Sequence, residues 1–375
     1  MINTLIVDDS ALARDIIRDF LEGDENFKII GEAGDGEEGI QKILSMNPDL
    51  VTLDIEMPKK NGLEVIEAVM KENPVPIVVV TSHDTAKMAY EATIRGALEF
   101  YPKDIFTSSL EPAKQREIYE TLKRISGIKA QKSIVLDEAV LEEQAQNASV
   151  VPIDRMLSQT ERVIRAVVIG SSTGGPKALA SFFSLIPDNF PVPIVIVQHN
   201  TSGFDKSFAQ WLDSYTSLQV KVAEEGEILK AGTVYIAQTD KHLELRCNTQ
   251  PSVTGELNVL LYYNNDEPEH NQKPAVDVLF RTAAENLKDS VISVVLTGMG
   301  NDGAEGTQKI REMRGITIAQ DEKSSLIYGM PKAAIETGCV DMVLPLEKIP
   351  GELIKLTGGQ QLSGRQQAAG QQSKK

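Results

Sequence analysis

Two cysteines in 375 residues, Cys247 and Cys339, cannot build a disulfide framework or a cysteine-rich zinc site, and they suit a reducing cytoplasm. No apolar run approaches the ~18 residues that a membrane span needs, so direct insertion into a bilayer is not expected. The first residues, Met1-Ile2-Asn3-Thr4-Leu5, lack the basic start and long apolar stretch of a secretory signal. Positive charge is also short: 38 Lys and Arg stand against 54 Asp and Glu, a formal net charge of −16. A broad nucleic-acid or anionic-membrane surface would need clustered positive charge, so both partner classes are excluded. What remains, 41% apolar and 25% charged, describes an ordinary globular protein whose length sets two or three domains. A soluble, acidic, cytoplasmic protein is expected.

The acidity is uneven. Residues 1–123 hold 24 acidic and 13 basic residues, leaving 30 and 25 for the rest, which hints at separate units. In 1–123, short apolar runs (4–7, 28–32, 50–53, 77–81 and 99–101) alternate with amphipathic stretches such as 10–21 and 37–46. That alternation predicts a small doubly wound domain, a parallel sheet covered on both faces. From 124 to 163 apolar periodicity dissolves, apart from a weak helix near 137–146, and a linker is expected. A strand resumes near 166–169, and α/β alternation continues to about 356. Residues 357–375, rich in Gln, Gly and Ser, are expected to be a disordered tail. The fold class is therefore α/β, with two doubly wound parallel-sheet domains joined by a linker.

In a parallel α/β sheet ligands bind at the carboxyl ends of the strands. Asp8 and Asp9 directly follow Leu5-Ile6-Val7, and Asp54 directly follows Val51-Thr52-Leu53. Three like charges in one cleft call for a hard cation, and magnesium suits oxygen ligands of this kind. Two further strand ends supply the hydroxyl of Thr81 and the ammonium of Lys103. Acids, metal, Thr and Lys together make a phosphate-accepting cradle around a carboxylate nucleophile. Helix capping by Asp9 or Ser10 explains one such acid, but not five matched positions in order.

Val7-Asp8-Asp9-Ser10, Asp54-Ile55-Glu56-Met57-Pro58 with Asn61-Gly62-Leu63, Thr81-Ser82 and Lys103 resemble the receiver domain of two-component response regulators, over about residues 1–123. The resemblance implies a flavodoxin-like fold, phosphorylation at Asp54, and magnesium held by Asp8 and Asp9 together with Asp54. It implies phosphoryl contacts from Thr81 and Lys103, and a switching aromatic at Phe100. Asp104 departs from the Pro usual after that Lys and bears on the local turn.

A second constellation starts at Val167-Val168-Ile169, followed by Gly170-Ser171-Ser172-Thr173-Gly174-Gly175-Pro176 and a helical pattern over 177–185. Strand, small-residue turn and helix expose a nucleophile above a sheet and aim backbone N–H groups at an anion. A dinucleotide turn needs G-x-G-x-x-G, but Ser172 stands at the middle Gly, and the next strand ends in Gln198-His199 rather than an acid. Of four histidines, His83 falls in the first domain, His270 sits in a polar loop and reads as solvated, and His242 could support a site but has no strand-end position. His199, at the end of 194–197, is the candidate base; standing alone it would read as a half-buried histidine bonding a carbonyl. After the apolar run 291–296 come Thr297-Gly298-Met299-Gly300-Asn301-Asp302-Gly303. Taken alone this is a tight turn; with His199, Asp302 is the acid that orients the base.

The order Ser…His…Asp differs from that of α/β-hydrolases and of the two familiar serine protease orders. The matching segments are Ile169 to Gly175, Gln198-His199, Pro274-Ala275-Val276-Asp277-Val278-Leu279-Phe280, Leu296 to Gly303, and Gly329-Met330-Pro331-Lys332-Ala333. Together, over about 165–356, they resemble the chemotaxis protein-glutamate methylesterases (CheB), with a Rossmann-like serine hydrolase domain at 164–356. The resemblance implies Ser172 as nucleophile, His199 as base then acid, and Asp302 as orienting carboxylate. Met299 N–H would serve an oxyanion hole, with Thr173 nearby. It implies hydrolysis of glutamate methyl esters on chemoreceptors, with deamidation of receptor glutamines as a companion and no cofactor for the esterase step. A chemotaxis-type histidine kinase would be the phosphodonor, and a receiver packed over the cleft would lift off on phosphorylation. Ser171 stands in place of the usual Ala, Asn200-Thr201 of Met-Pro, Gln238-Thr239 of Pro-Gly, and Gln272-Lys273 of His-Arg. A receptor-binding adaptor without catalysis is opposed by the intact triad. A DNA-binding regulator is opposed by the acidity of residues 124–375.

Overall fold

The computed structural model describes residues 1–82, 85–106, 110–128, 163–248 and 258–358. Most of the expected linker, nearly all of the expected tail, and His83 lie outside these residues. Among the described residues the chain divides into two compact units, 1–128 with 201–211, and 163–200 with 212–358.

In the first unit β1 (Ile2–Val7), β2 (Phe27–Ala33), β3 (Leu50–Leu53), β4 (Ile77–Thr81) and β5 (Glu99–Pro102) form a parallel sheet of order β2-β1-β3-β4-β5. Helices α1 (Ala11–Glu22), α2 (Gly36–Met46), α3 (Gly62–Glu72), α4 (Ala86–Arg95) and α5 (Pro112–Ser126) connect the strands and close the unit. Every residue of β3 and β4 is buried, because helices cover both faces of a parallel sheet, and this is why those segments read as unbroken apolar runs. Ile6, Phe20, Val80, Phe106 and Leu122 centre the core. Ser10 caps α1, its hydroxyl accepting the Ala13 N–H at 3.3 Å, so Asp9 is not needed as a cap. The last helix runs on to Ser126, three residues past the end expected for this domain.

The second unit is built on seven parallel strands: β6 (Ala166–Ser171), β7 (Ile194–Gln198), β8 (Gln219–Val222), β9 (Thr233–Ile236), β12 (Val291–Val295), β13 (Ile316–Gln320) and β14 (Met342–Leu344). Their order is β14-β13-β12-β6-β7-β9-β8. An antiparallel hairpin of β10 (His242–Cys247) and β11 (Val259–Asn264), not anticipated from sequence, stands outside this sheet. Its helices are α6 (Gly175–Phe183), α8 (Val276–Leu287), α9 (Ala304–Glu312), α10 (Met330–Glu336) and α11 (Ile349–Leu356), while α7 (Asp205–Asp213), between β7 and β8 in the chain, falls mostly within the first unit's residues 201–211. The chain leaves β6 toward β7 but later returns to place β12 on its other side, so a crevice opens at the carboxyl end of β6.

The start of α8 approaches β6 closely at Gly170, where a Cβ would lie 2.3 Å from Val276 Cγ1. No L side chain fits there without displacing the Val276 side chain. Gly170→Ala should therefore cost about 1–3 kcal/mol by overpacking, read as a lower urea midpoint at unchanged slope.

Candidate active site

Three neighbouring strands each deliver one member of the serine constellation. Ser172 follows β6, His199 follows β7, and Asp302 lies in the loop after β12. The ladder sets Ser171 opposite Gln198, so Ser172 and His199 leave adjacent strand ends together. His199 Nε2 lies 2.9 Å from Asp302 Oδ2, and the imidazole is 7% exposed. Nδ1 is therefore the ring nitrogen left for the serine. Among the described residues the Ser172 hydroxyl makes no hydrogen bond, to His199 or otherwise.

Asp302, 2% exposed, has more than one partner. Its Oδ2 also accepts the Val276 N–H at 2.7 Å, and its Oδ1 the Asp277 N–H at 2.8 Å, both from the first turn of α8. Burial alone would raise this carboxyl. The His199 hydrogen bond, its charge, and the two helix N–H groups outweigh burial and hold it below the usual carboxylate range.

The turn around Ser172 is tied down through its backbone. Ser172 N–H donates to the Thr297 carbonyl at 3.1 Å, which removes it as an oxyanion donor. The next amide, that of Thr173, has no hydrogen-bond partner among the described residues. Gly298 lies against the nucleophile: a Cβ on it would sit 2.8 Å from Ser172 Cβ. Absence of a side chain there lets the loop carrying Met299 come alongside Ser172. Thr297 locks that loop, its N–H donating to Gln320 Oε1 at 2.7 Å and its hydroxyl to the Thr173 carbonyl at 3.1 Å.

Gln198, which sequence reasoning placed only within a matching segment, braces the site. Its Nε2 donates to the carbonyls of Ser172 at 3.0 Å and His199 at 2.9 Å, bracing the two segments against each other. Its Oε1 accepts the hydroxyl of Ser171 at 2.7 Å, so the Ser that replaces the usual Ala supplies a donor. One other histidine differs from its sequence reading. His270 is not solvated: its Nε2 lies 2.8 Å from Asp277 Oδ2, a fully buried carboxylate. His242 is buried, its Nδ1 accepting the Ala275 N–H at 3.1 Å just ahead of α8.

In the first unit Asp8, Asp9, Asp54 and Lys103 converge at the carboxyl ends of β1, β3 and β5. The three acids each offer an oxygen, all within 4.8 Å of one another. Lys103 Nζ lies 2.7 Å from Asp8 Oδ2 and 2.8 Å from Asp54 Oδ2. Burial raises the Asp8 carboxyl; the Lys103 ammonium opposes this and the Asp54 charge adds to it. Asp8 Oδ2 is ion-paired with the ammonium, yet it is buried and off the hydrogen-bond direction, so its lone pairs remain available to a hard cation. The donor set therefore fits magnesium.

Thr81, 1% exposed, sits 2.6 Å from the hydroxyl of Thr85. Since Thr85 donates to the Ser82 carbonyl at 2.9 Å, Thr81 is the donor of that bond. Phe100 is 5% exposed and meets Tyr90 edge-on, ring centroids 4.8 Å apart. Lys103 opens a 3₁₀ turn ending at Phe106, which accommodates Asp104. Tyr90 and Thr85, the direct partners of Phe100 and Thr81, carried no signal in the strand-end pattern.

Gln198→Leu should leave the Ser171 hydroxyl and two carbonyls without their partner. A cost of about 1–3 kcal/mol in urea unfolding is expected, together with slower modification of Ser172 by a fluorophosphonate, whereas Ser171→Ala should cost no more than about 1.5 kcal/mol.

Comparison with known proteins agrees with both family resemblances. A CheB methylesterase family model matches residues 167–353, and a response regulator receiver domain model matches residues 4–113. A protein-glutamate methylesterase/protein-glutamine glutaminase of Pyrococcus abyssi is 38% identical over 94% of this chain and 93% of its own length. One of Clostridium acetobutylicum is 38% identical over 96% of this chain and 98% of its own. The crystal structure of the Thermotoga maritima CheB methylesterase catalytic domain is 46% identical, covers 52% of this chain and 98% of that one, and has a TM-score of 0.49. With a receiver fold in its first unit, a Ser-His-Asp crevice in its second and near full-length relatives at this identity, the chain belongs to the CheB methylesterase family.

Proposed function

We propose that the chain hydrolyses glutamate methyl esters on chemoreceptors, releasing methanol, and that phosphorylation of Asp54 activates it. The observation that carries this reading is the buried His199–Asp302 hydrogen bond at strand ends flanking Ser172. The relatives' name, protein-glutamate methylesterase/protein-glutamine glutaminase, supports the substrate class.

Ser172 Oγ attacks the ester carbonyl as His199 Nδ1 takes its proton. Asp302 stays ionised and stabilises the imidazolium. The unpaired Thr173 N–H and the Met299 N–H receive the negative charge that develops on the carbonyl oxygen. His199 then returns the proton to the departing methoxide, and methanol leaves. A water gives a proton to His199 and adds to the acyl-enzyme, releasing the glutamate carboxylate and restoring Ser172. A glutamine side chain follows the same path with ammonia as leaving group. The contact between Ser172 and His199 tightens once substrate is bound.

In the receiver, Asp54 accepts a phosphoryl group from a chemotaxis-type histidine kinase, and Asp8, Asp9 and Asp54 would hold magnesium. When bound, that ion offsets the negative charge of the phosphoryl oxygens. Lys103 pairs with the same oxygens. Thr81 turns its hydroxyl from Thr85 to the phosphoryl group, and Phe100 repacks against Tyr90. Such a switch fused to a hydrolase supports regulation by population shift. A cytoplasmic location follows from these partners.

Methanol release from a methylated chemoreceptor signalling domain, with and without a small-molecule phosphodonor and magnesium, tests the reading. Ser172→Ala should abolish release, and Asp54→Asn should abolish only its stimulation. Asp302→Asn should lower kcat by about 10³–10⁴-fold through the wrong imidazole tautomer. No release under any condition would make the chain a phosphorylatable adaptor.

A further inference from the structure

A second carboxylate shares the pocket of Asp302. Asp277, in the first turn of α8, is fully buried; its Oδ1 accepts the Gly306 N–H at 2.6 Å, and its Oδ2 lies 2.8 Å from His270 Nε2. The same residue's backbone N–H holds Asp302 Oδ1. One turn of helix thus sets two carboxylates side by side, Asp302 bonded to His199 and Asp277 to His270. Ligand atoms of His270, Asp277 and Asp302 fall within 4.8 Å of one another, but all four carboxylate oxygens are already hydrogen-bonded, so the pocket is a hydrogen-bonded pair of pairs rather than a cation cage. His270 and Asn271 adopt left-handed backbone, φ 53° and 59°, to present the imidazole, and the Glu269–Arg281 ion pair fastens this loop to α8. The reaction as described uses neither His270 nor the Asp277 side chain.

We propose that Asp277, paired with His270, is a positioning residue for the catalytic dyad: its carboxylate adds negative charge behind Asp302 and so stabilises the imidazolium that forms at His199. This rests on the Ser172–His199–Asp302 reading and deepens it. Burial, then the Asp302 charge, push the Asp277 carboxyl up to about 6, so the second charge appears as pH rises through the mildly acidic range. The His270 imidazole favours the ionised form; without it Asp277, buried beside Asp302, takes up a proton. Other charged or titratable groups around the pocket are accounted for. Arg281 and Glu269 neutralise each other, Glu305 is exposed, and His242 uses both ring nitrogens on Ala275 N–H and the Glu267 carbonyl.

The test is the rate at which a fluorophosphonate modifies Ser172 in the full-length protein, measured from pH 5 to 9. Asp277→Asn keeps the shape and the backbone donor but removes the charge. The acid limb of its profile should move to lower pH by on the order of one unit. His270→Ala should move it the same way, and the double variant no further than either single one. A labelled wild type with unshifted variants, or with additive shifts, overturns this proposal alone; a wild type that does not label overturns the triad reading and this proposal with it. Stability gives a second readout. Because the folded carboxyl lies above its unfolded value of ~3.9, its ionisation weakens the fold as pH rises from 4 through 6. Asp277→Asn should therefore gain Tm relative to wild type between pH 5 and pH 7; a constant difference overturns the proposal.

Discussion

A carboxylate stays charged away from water only where donors surround it, and the catalytic crevice is organised by that demand at Asp302. Three N–H groups meet it: one from His199 and two from the opening turn of α8. The helix contributes its unpaired amides and the positive end of its dipole, which suits a buried anion better than a single side chain would. Its start must then lie directly against the sheet, and Gly170 allows this by offering no side chain to Val276. Ahead of the helix, His242 binds the Ala275 N–H, and behind it Asp277 occupies Gly306 N–H. Packing, capping and catalysis therefore converge on one turn of helix.

The receiver meets a related problem by another route. Asp8 and Asp54 are buried close together, and the partner offsetting their charge is a flexible side chain, Lys103, at 2.7 and 2.8 Å. Backbone donors fix a charge permanently, whereas an ammonium on a four-carbon stem can change partners. The first arrangement suits a site that keeps one charge through every turnover. The second suits a site that gains and loses a phosphoryl group.

Much of this was legible in the chain. Buried parallel strands write themselves as apolar runs, and groups at their carboxyl ends fall at countable positions, so Asp54, Lys103, Ser172, His199 and Asp302 stood out. The hairpin of β10 and β11 was missed because alternation over six residues, part of it polar, resembles an ordinary connection. His270 read as solvated because its neighbours in sequence are polar, while its true neighbour, Asp277, lies seven residues on, inside a helix. Gln198 and Thr85 act through side-chain hydrogen bonds, which no periodicity records.

Ser172, His199 and Asp302, the proposed triad, come from three adjacent strands, but 27 residues separate the first two and 103 separate His199 from Asp302. During synthesis the nucleophile and base emerge together, while the acid and the helix that anchors it arrive only after the hairpin. A nascent or partly refolded catalytic unit holding β6 and β7 alone has a serine and a histidine but no orienting carboxylate. On the proposed triad, full esterase activity therefore needs β12 docked beside β6, a long-range pairing. The proposed triad in this sense reports completed folding, because a fragment that stops before β12 lacks the carboxylate that orients His199.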